Sequence, residues 1–249
     1  MTGKPYALGG ADPATAPLRV MLIPHAGAGA SSALVFRQHL PQDWALAAIR
    51  LPGRESRIRE AVPDLAGLVA DVVASARMLP GRGPLLVVGV CSGAVVGLEA
   101  VRALQDTDPG LVAGFVAVSQ WALNEQPDAA ARPPADPDDY ADVREELRAY
   151  GALPDSIADD DMLRTYLPVI AGDMRAVRDH YAAPEPALAC PVLVVAGDHD
   201  PLCDEDRLAG WSLYSKTTRQ VRVPGGHMLL AEAPAQLAGC VAANLDLFR

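Results

Sequence analysis

The chain has no excess of positive charge, no long apolar run and no paired-cysteine motif. Its 249 residues carry 21 Lys and Arg against 31 Asp and Glu, a formal net charge of −10. Phosphate backbones are bound through basic patches, so the expectation is no nucleic-acid partner. No apolar run approaches the roughly 18 residues that span a bilayer, which leaves no membrane segment to expect. The first twenty residues, "MTGKPYALGGADPATAPLRV", hold one lysine and no apolar h-region. They do not read as a signal peptide but as a short loose arm before the first strand, and the expected location is cytoplasmic. The four cysteines, 91, 190, 203 and 240, show neither CxxC spacing nor a histidine at zinc-finger distance, so no metal is expected. In a reducing compartment Cys190, Cys203 and Cys240 read as small buried hydrophobes. A "GAGAG" stretch lacks both the GK[ST] ending and a GxGxxG, so nucleotide binding is excluded.

Half the residues are hydrophobic and 21% are charged, a globular composition for one α/β domain. Strands are expected at 18–24, 44–53, 84–90, 111–120, 190–201 and 219–227, and helices at 65–79 and 94–104, with a closing amphipathic helix near the end. Most of the strands are continuous apolar runs, the mark of a mostly parallel sheet covered on both faces. Between about 122 and 186 the alternation stops. "DPDDYADVREELRAYG" carries a cap and N1 proline at Asp136-Pro137 and ends at Gly151. A second helical stretch runs from about Asp160 to Tyr181, where Pro168 predicts a kink or break. This is a helical insertion placed to act as a lid, entered through the Pro/Ala/Asp-rich "QPDAAARPPADPDD". Its faces (Tyr140, Leu147, Tyr150; Leu163, Tyr166, Met174) read either as packing or as an apolar pocket wall. Trp121, just past the fourth strand, is a candidate for the pocket mouth.

"VVGVCSGAVVGLEA" (87–100) joins a strand to a helix through a tight glycine turn. Such a nucleophile elbow needs small residues two places before and after the attacking group. Centred on Cys91 those places are Gly89 and Gly93; centred on Ser92 they are Val90 and Ala94. A β-branched valine suits a strained turn poorly, so Cys91 is the expected nucleophile and Ser92 supplies a backbone N–H. The alternative is a buried cysteine on a glycine turn with no chemistry. His227, in "VPGGHMLL" after the last strand, is the expected base, ahead of His25, His39, His180 and His199. Asp200, in "AGDHDP", is the expected acid; Pro201 stiffens its backbone, and Asp198 is its rival. The second oxyanion donor is expected from "PHAGAGASS", with Ala26 N–H the candidate. The local run "RLPGRESRIRE" (Arg50, Arg54, Arg57, Arg59) reads as a solvated loop or as a docking patch for an acidic partner.

Together the segments "IPHAGAGASS", "LPGRESR", "GVCSGAVVGLEA", "LPVIAGDMRAVRDHY", "PVLVVAGDHDP" and "VPGGHMLL" resemble the stand-alone type II thioesterases of polyketide and nonribosomal peptide assembly lines. The resemblance spans the chain from about residue 19 onward. It implies an α/β-hydrolase fold with a helical lid, acting as a monomer. It implies acyl groups carried on the phosphopantetheine of an acyl or peptidyl carrier protein, with no resident cofactor. It carries a nucleophile–histidine–aspartate triad over to Cys91, His227 and Asp200, and an oxyanion hole to the backbones of Ala26 and Ser92. The departure is cysteine where the family usually has serine. An acyl-cysteine is itself a thioester and keeps its activation, so hydrolysis, transfer to a non-water acceptor, and carrier binding without turnover all stay open.

Overall fold

The computed structural model describes residues 6–124, 140–149, 151, 160–178 and 180–248. Seven strands form one sheet: β1 (Tyr6–Gly10), β2 (Arg19–Ile23), β3 (Ala45–Ile49), β4 (Leu85–Val90), β5 (Val112–Val118), β6 (Val192–Gly197) and β7 (Thr218–Val223). Their order is β1-β3-β2-β4-β5-β6-β7. All pairings are parallel except β1 with β3. Every residue of β2, β3, β4 and β6 is buried, as expected of strands covered on both faces.

The period of two divides the sheet's side chains between two cores. Met21, Ile23, Val87 and Phe115 face α2 (Leu65–Met78) and α3 (Ser92–Thr107). Val20, Leu22, Val88 and Val116 face α1 (Ala33–His39) and α6 (Pro234–Ala243). The α2 helix shows how local signals set these elements. Asp64 caps it by accepting from the Gly67 N–H at 2.9 Å; Leu68, Val72 and Ala76 fall on its buried face; Pro80 follows its end.

Two expectations need correction. Residues 6–10 are not a loose arm: they pair antiparallel with β3 from Tyr6↔Ile49 to Gly10↔Ala45. "YALGG" has no strand periodicity and two glycines, so its conformation comes from the open β3 edge it covers. Pro168 does not break its helix: α5 (Asp160–Val177) runs through it. Leu167 and Ala171, on either side of the proline, pack against Val143 and Leu147 of α4 (Tyr140–Ala149), and this tertiary contact holds the helix through its missing N–H. Both α4 and α5 lie between β5 and β6, where the helical insertion was expected. The Asp136-Pro137 cap and the 126–139 tract lie outside the described residues.

Strand order places the site. The chain steps from β2 outward to β3, then returns to lay β4 on the other side of β2. The loops after β2 and β4 therefore part in opposite directions and leave a crevice at the carboxyl edge of the sheet. "PHAGAGASS" and the Cys91 turn are those two loops.

Candidate active site

Cys91 sits between β4 and α3 with φ 51° and ψ −122°, a left-handed conformation that costs a non-glycine residue about 1–3 kcal/mol. The surrounding contacts hold it there. Its N–H donates to Val118 O at 2.8 Å, and Ala94 N–H donates to Cys91 O at 2.8 Å. The flanking glycines are sterically required. A Cβ on Gly89 would meet Ala94 Cα and Gly93 O at 2.5 Å, and one on Gly93 would collide with Ile23 O and Pro24 O. All of these are backbone atoms that cannot swing aside. Glycine at 89 and 93 therefore centres the turn on residue 91. Ser92 begins α3 and is buried; its N–H belongs to the first helical turn, whose donors have no intrahelical carbonyl.

His227 lies in the loop after β7, buried, with Nε2 3.3 Å from Cys91 Sγ. Its Nδ1 faces both carboxylate oxygens of Asp200, at 3.0 and 3.1 Å. The loop reaches that position because Gly197, at the end of β6, has no side chain: a Cβ there would collide with the carbonyls of Gly225 and Gly226. Asp200 follows β6, is buried, and is oriented by the Leu202 N–H, which donates to Oδ1 at 3.0 Å. Burial works against the charged forms of His227 and Asp200, but mutual attraction and hydrogen bonding win. His227 is raised to about 10, with Cys91 as a further contributor, and Asp200 is held below the usual carboxylate range. Thiol, imidazole and carboxylate thus form one continuous relay. An imidazole so placed can take the thiol proton and be stabilised as the cation by the carboxylate behind it.

The rival groups lie elsewhere. Asp198 is exposed, pairs with exposed His199 at 2.7 Å and accepts from the Gly225 N–H, a turn role. His39 is exposed at the end of α1, and His180 is 3.0 Å from Glu99. His25 differs from both. Its Nδ1 is buried without a hydrogen-bond partner among the described residues. Burial first, then the charges of His227 and Arg54, lowers His25 to about 4, so it is neutral beside the relay. Cys203 is buried as expected but is more than a spacer: its thiol hydrogen-bonds the Asp200 carboxylate, and burial and that charge push its pKa up. The ligand atoms of Asp200, Cys203 and His227 lie within 4.8 Å of one another, the spacing of a metal site, but their hydrogen bonds to one another already use the carboxylate and Nδ1. Neither role had a sequence signal beyond residue type, since both depend on which side chains meet across the sheet edge.

Ala26 lies in the half-buried loop after β2. The proposed pocket residues fare less well. Tyr166 is 49% exposed and is not among the residues of the α4–α5 cluster around Leu167 and Ala171. Met174 packs with Ile170 beside the α4–α5 cluster. Trp121 is half-buried with the Arg207 guanidinium 5.7 Å above its ring. Tyr140 starts α4, but its side chain, like that of Leu163, and all of Tyr150 lie outside the described residues. The arginine run is not a docking patch. Arg54 is 5% exposed and ion-paired with Asp173, and Arg57 is buried against Glu60 and Asp71. Glu60 is three residues from Arg57, but Asp71 and above all Asp173 lie farther along the chain, and charge counting cannot see those pairings.

Comparison with known proteins gives the family. Residues 18–245 match the family model described as the thioesterase domain. Thioesterase PikA5 of Streptomyces venezuelae is 27% identical over 234 residues, covering 93% of this chain and 82% of that protein. The gramicidin S biosynthesis protein GrsT of Aneurinibacillus migulanus is 25% identical over 240 residues, covering 93% and 90%. Among solved structures, RedJ, a thioesterase from the prodiginine pathway of Streptomyces coelicolor, superposes with a TM-score of 0.83 at 25% identity, covering 94% and 87%.

Proposed function

From the premise that this chain belongs to the thioesterase-domain family, a family of α/β-hydrolase fold, we propose that it is a type II thioesterase of natural-product biosynthesis. In this reading it removes acyl or aminoacyl groups from the phosphopantetheine arm of carrier proteins. The observation that carries the mechanism is the Cys91–His227–Asp200 relay, with contacts of 3.3 and 3.0 Å, at the sheet crevice. Cys91 Sγ attacks the thioester carbonyl as its proton passes to His227 Nε2. The tetrahedral oxyanion is received by the N–H groups of Ala26 and Ser92. The carrier thiol leaves with the proton from His227, and an acyl-Cys91 thioester remains. Water then gives a proton to His227 and attacks the acyl carbon, the Cys91–acyl bond breaks as His227 returns that proton to Cys91 Sγ, and the free acid departs. Asp200 orients the imidazole and stabilises its cation throughout.

A second reading rests on residue 91 itself. Exchanging one thioester for another is nearly even in free energy, so acyl-Cys91 keeps the activation a serine ester would lose. An amine, a hydroxyl or a second carrier thiol could then accept the group in place of water. The test is a carrier protein loaded with a labelled acyl group and incubated with the protein, with and without a second carrier. Free labelled acid supports hydrolysis; label that stays on Cys91 until an acceptor arrives supports transfer. If no adduct forms and Cys91→Ala binds the carrier as well as the wild type, the protein is a carrier-binding partner and both readings fail. For Cys91→Ser, hydrolysis should persist while transfer falls.

A further inference from the structure

The loop that carries Ala26 does not stand alone. His25 to Ala28 form a turn closed by the Ala28 N–H donating to His25 O at 3.0 Å, with Gly27 at φ 76°, the value a type II turn requires at its third residue. In such a turn the peptide between Ala26 and Gly27 is the element that can flip. Its N–H, on Gly27, donates to Asp173 Oδ2 at 2.8 Å, and Asp173 belongs to α5 of the helical insertion. Arg54 closes the arrangement. Its Nη1 and Nη2 donate to the two Asp173 oxygens at 2.6 and 2.7 Å, Nη1 also donates to Ala28 O at 3.1 Å, and Nε donates to Pro52 O at 3.1 Å. The turn is thus gripped at an N–H by the carboxylate and at a C=O by the guanidinium. Ile170, one helical turn before Asp173, fills the space a Cβ on Gly27 would occupy.

Asp173 and Arg54 are 3% and 5% exposed. A buried ion pair gives little net stability over an apolar pair of the same shape, so stability alone does not account for charges at this position. Orientation does. The Ala26 N–H lies on the adjoining His25–Ala26 peptide; a fixed acceptor for the Gly27 N–H and a fixed donor to Ala28 O hold the turn around it in one shape. We propose that Asp173 and Arg54 are positioning residues that hold the Ala26 turn in its oxyanion-receiving shape. Docking of α5 and assembly of the oxyanion hole are then one event. The proposal rests on the reading of Ala26 as an oxyanion donor in thioester hydrolysis.

The test uses the full-length protein and two variants. Asp173→Ala removes the acceptor but leaves a buried guanidinium alone. Arg54→Met/Asp173→Leu removes both charges with apolar groups, still takes the acceptor from Gly27, and keeps the result readable if the first variant fails to fold. Three quantities are measured: turnover of an acyl N-acetylcysteamine thioester, the rate of iodoacetamide alkylation at Cys91 by mass spectrometry, and amide exchange across residues 25–29. Alkylation needs the thiol and His227 but no oxyanion hole. The expected result for the double variant is a kcat lower by about 100-fold, the cost of a misplaced oxyanion donor. KM should stay within about threefold and alkylation within about twofold, with faster exchange at 25–29. Wild-type kcat in the double variant, or alkylation falling in step with kcat, overturns the proposal. If the wild type itself turns over no thioester, the thioesterase reading fails separately; unchanged exchange at 25–29 would then overturn the clamp, and faster exchange would sustain it.

Discussion

Replacing Asp200 by Asn tests the charge logic of the relay most directly. His227 is raised from 6.5 to about 10 although burial opposes its cation. That gap corresponds to about 5 kcal/mol of preference for the imidazolium. Asp200 and Cys91 supply it between them, Asp200 through contacts at 3.0 and 3.1 Å to Nδ1. If Asp200 supplies half or more, its loss lowers kcat/KM by about 10² to 10⁴. The sign follows from the direction of the shift. A raised histidine holds its proton below its folded value and loses it as pH rises through that value. The alkaline limb of the wild-type profile should therefore lie far up, toward 10, and in Asp200→Asn it should retreat toward 6.5. The assay is hydrolysis of an acyl thioester, followed by loss of thioester ultraviolet absorbance from pH 5 to 10, with Asp198→Asn as the control. Asp198 is exposed and faces His199, so its variant should stay within about threefold of wild type. If Asp200→Asn keeps wild-type kcat/KM and an unmoved alkaline limb, or if Asp198→Asn shows the loss instead, the assignment of the acid is wrong.

Other outcomes follow from the same contacts. Gly93→Ala drives a methyl group into the carbonyls of Ile23 and Pro24 and should cost about 3 kcal/mol or more, read as a collapse of Tm together with activity. Gly239→Ala is its counterpart: on the exposed face of α6 nothing lies within 4 Å of the added carbon, so it should gain about 0.5–1 kcal/mol and raise Tm without changing turnover. His25, lowered to about 4 in the fold against about 6.5 when unfolded, favours the fold fully above 6.5 and progressively less as pH falls toward 4. His25→Gln should therefore lose less stability than wild type between pH 7 and 4, by as much as about 3 kcal/mol in urea melts; parallel curves would show that His25 is not held neutral.

Much of the sheet was legible because burial on both faces writes itself as unbroken apolar runs: "LRVMLIP", "PLLVVGV" and "PVLVVAGD" became β2, β4 and β6 with ends shifted by a residue or a few. The segment β1 was illegible for the opposite reason. Its residues have no strand preference, and only the free edge of β3 makes them a strand. The same split runs through the site. Glycine at 89 and 93 centred the turn on Cys91, because a tight turn is a local steric problem and its solution lies within five residues. Asp200 over Asp198 was readable less directly, through Pro201; in the structure Asp200 is buried against His227 and Asp198 is exposed beside His199.

What the sequence by itself determined was therefore local: the tight turn at Cys91, the apolar strands and the loop types at the sheet's carboxyl edge. Only the tertiary structure decided which distant charges would meet. It took Arg54 and Arg57 out of solvent, gave Arg54 to Asp173 across 119 positions of chain, and laid Cys203 against Asp200. It also left Tyr166 exposed, outside the α4–α5 cluster. The physical reason is one of range. Steric limits and hydrophobic periodicity act over a few residues and leave a pattern, whereas a buried ion pair is specified by two residues that no periodicity links.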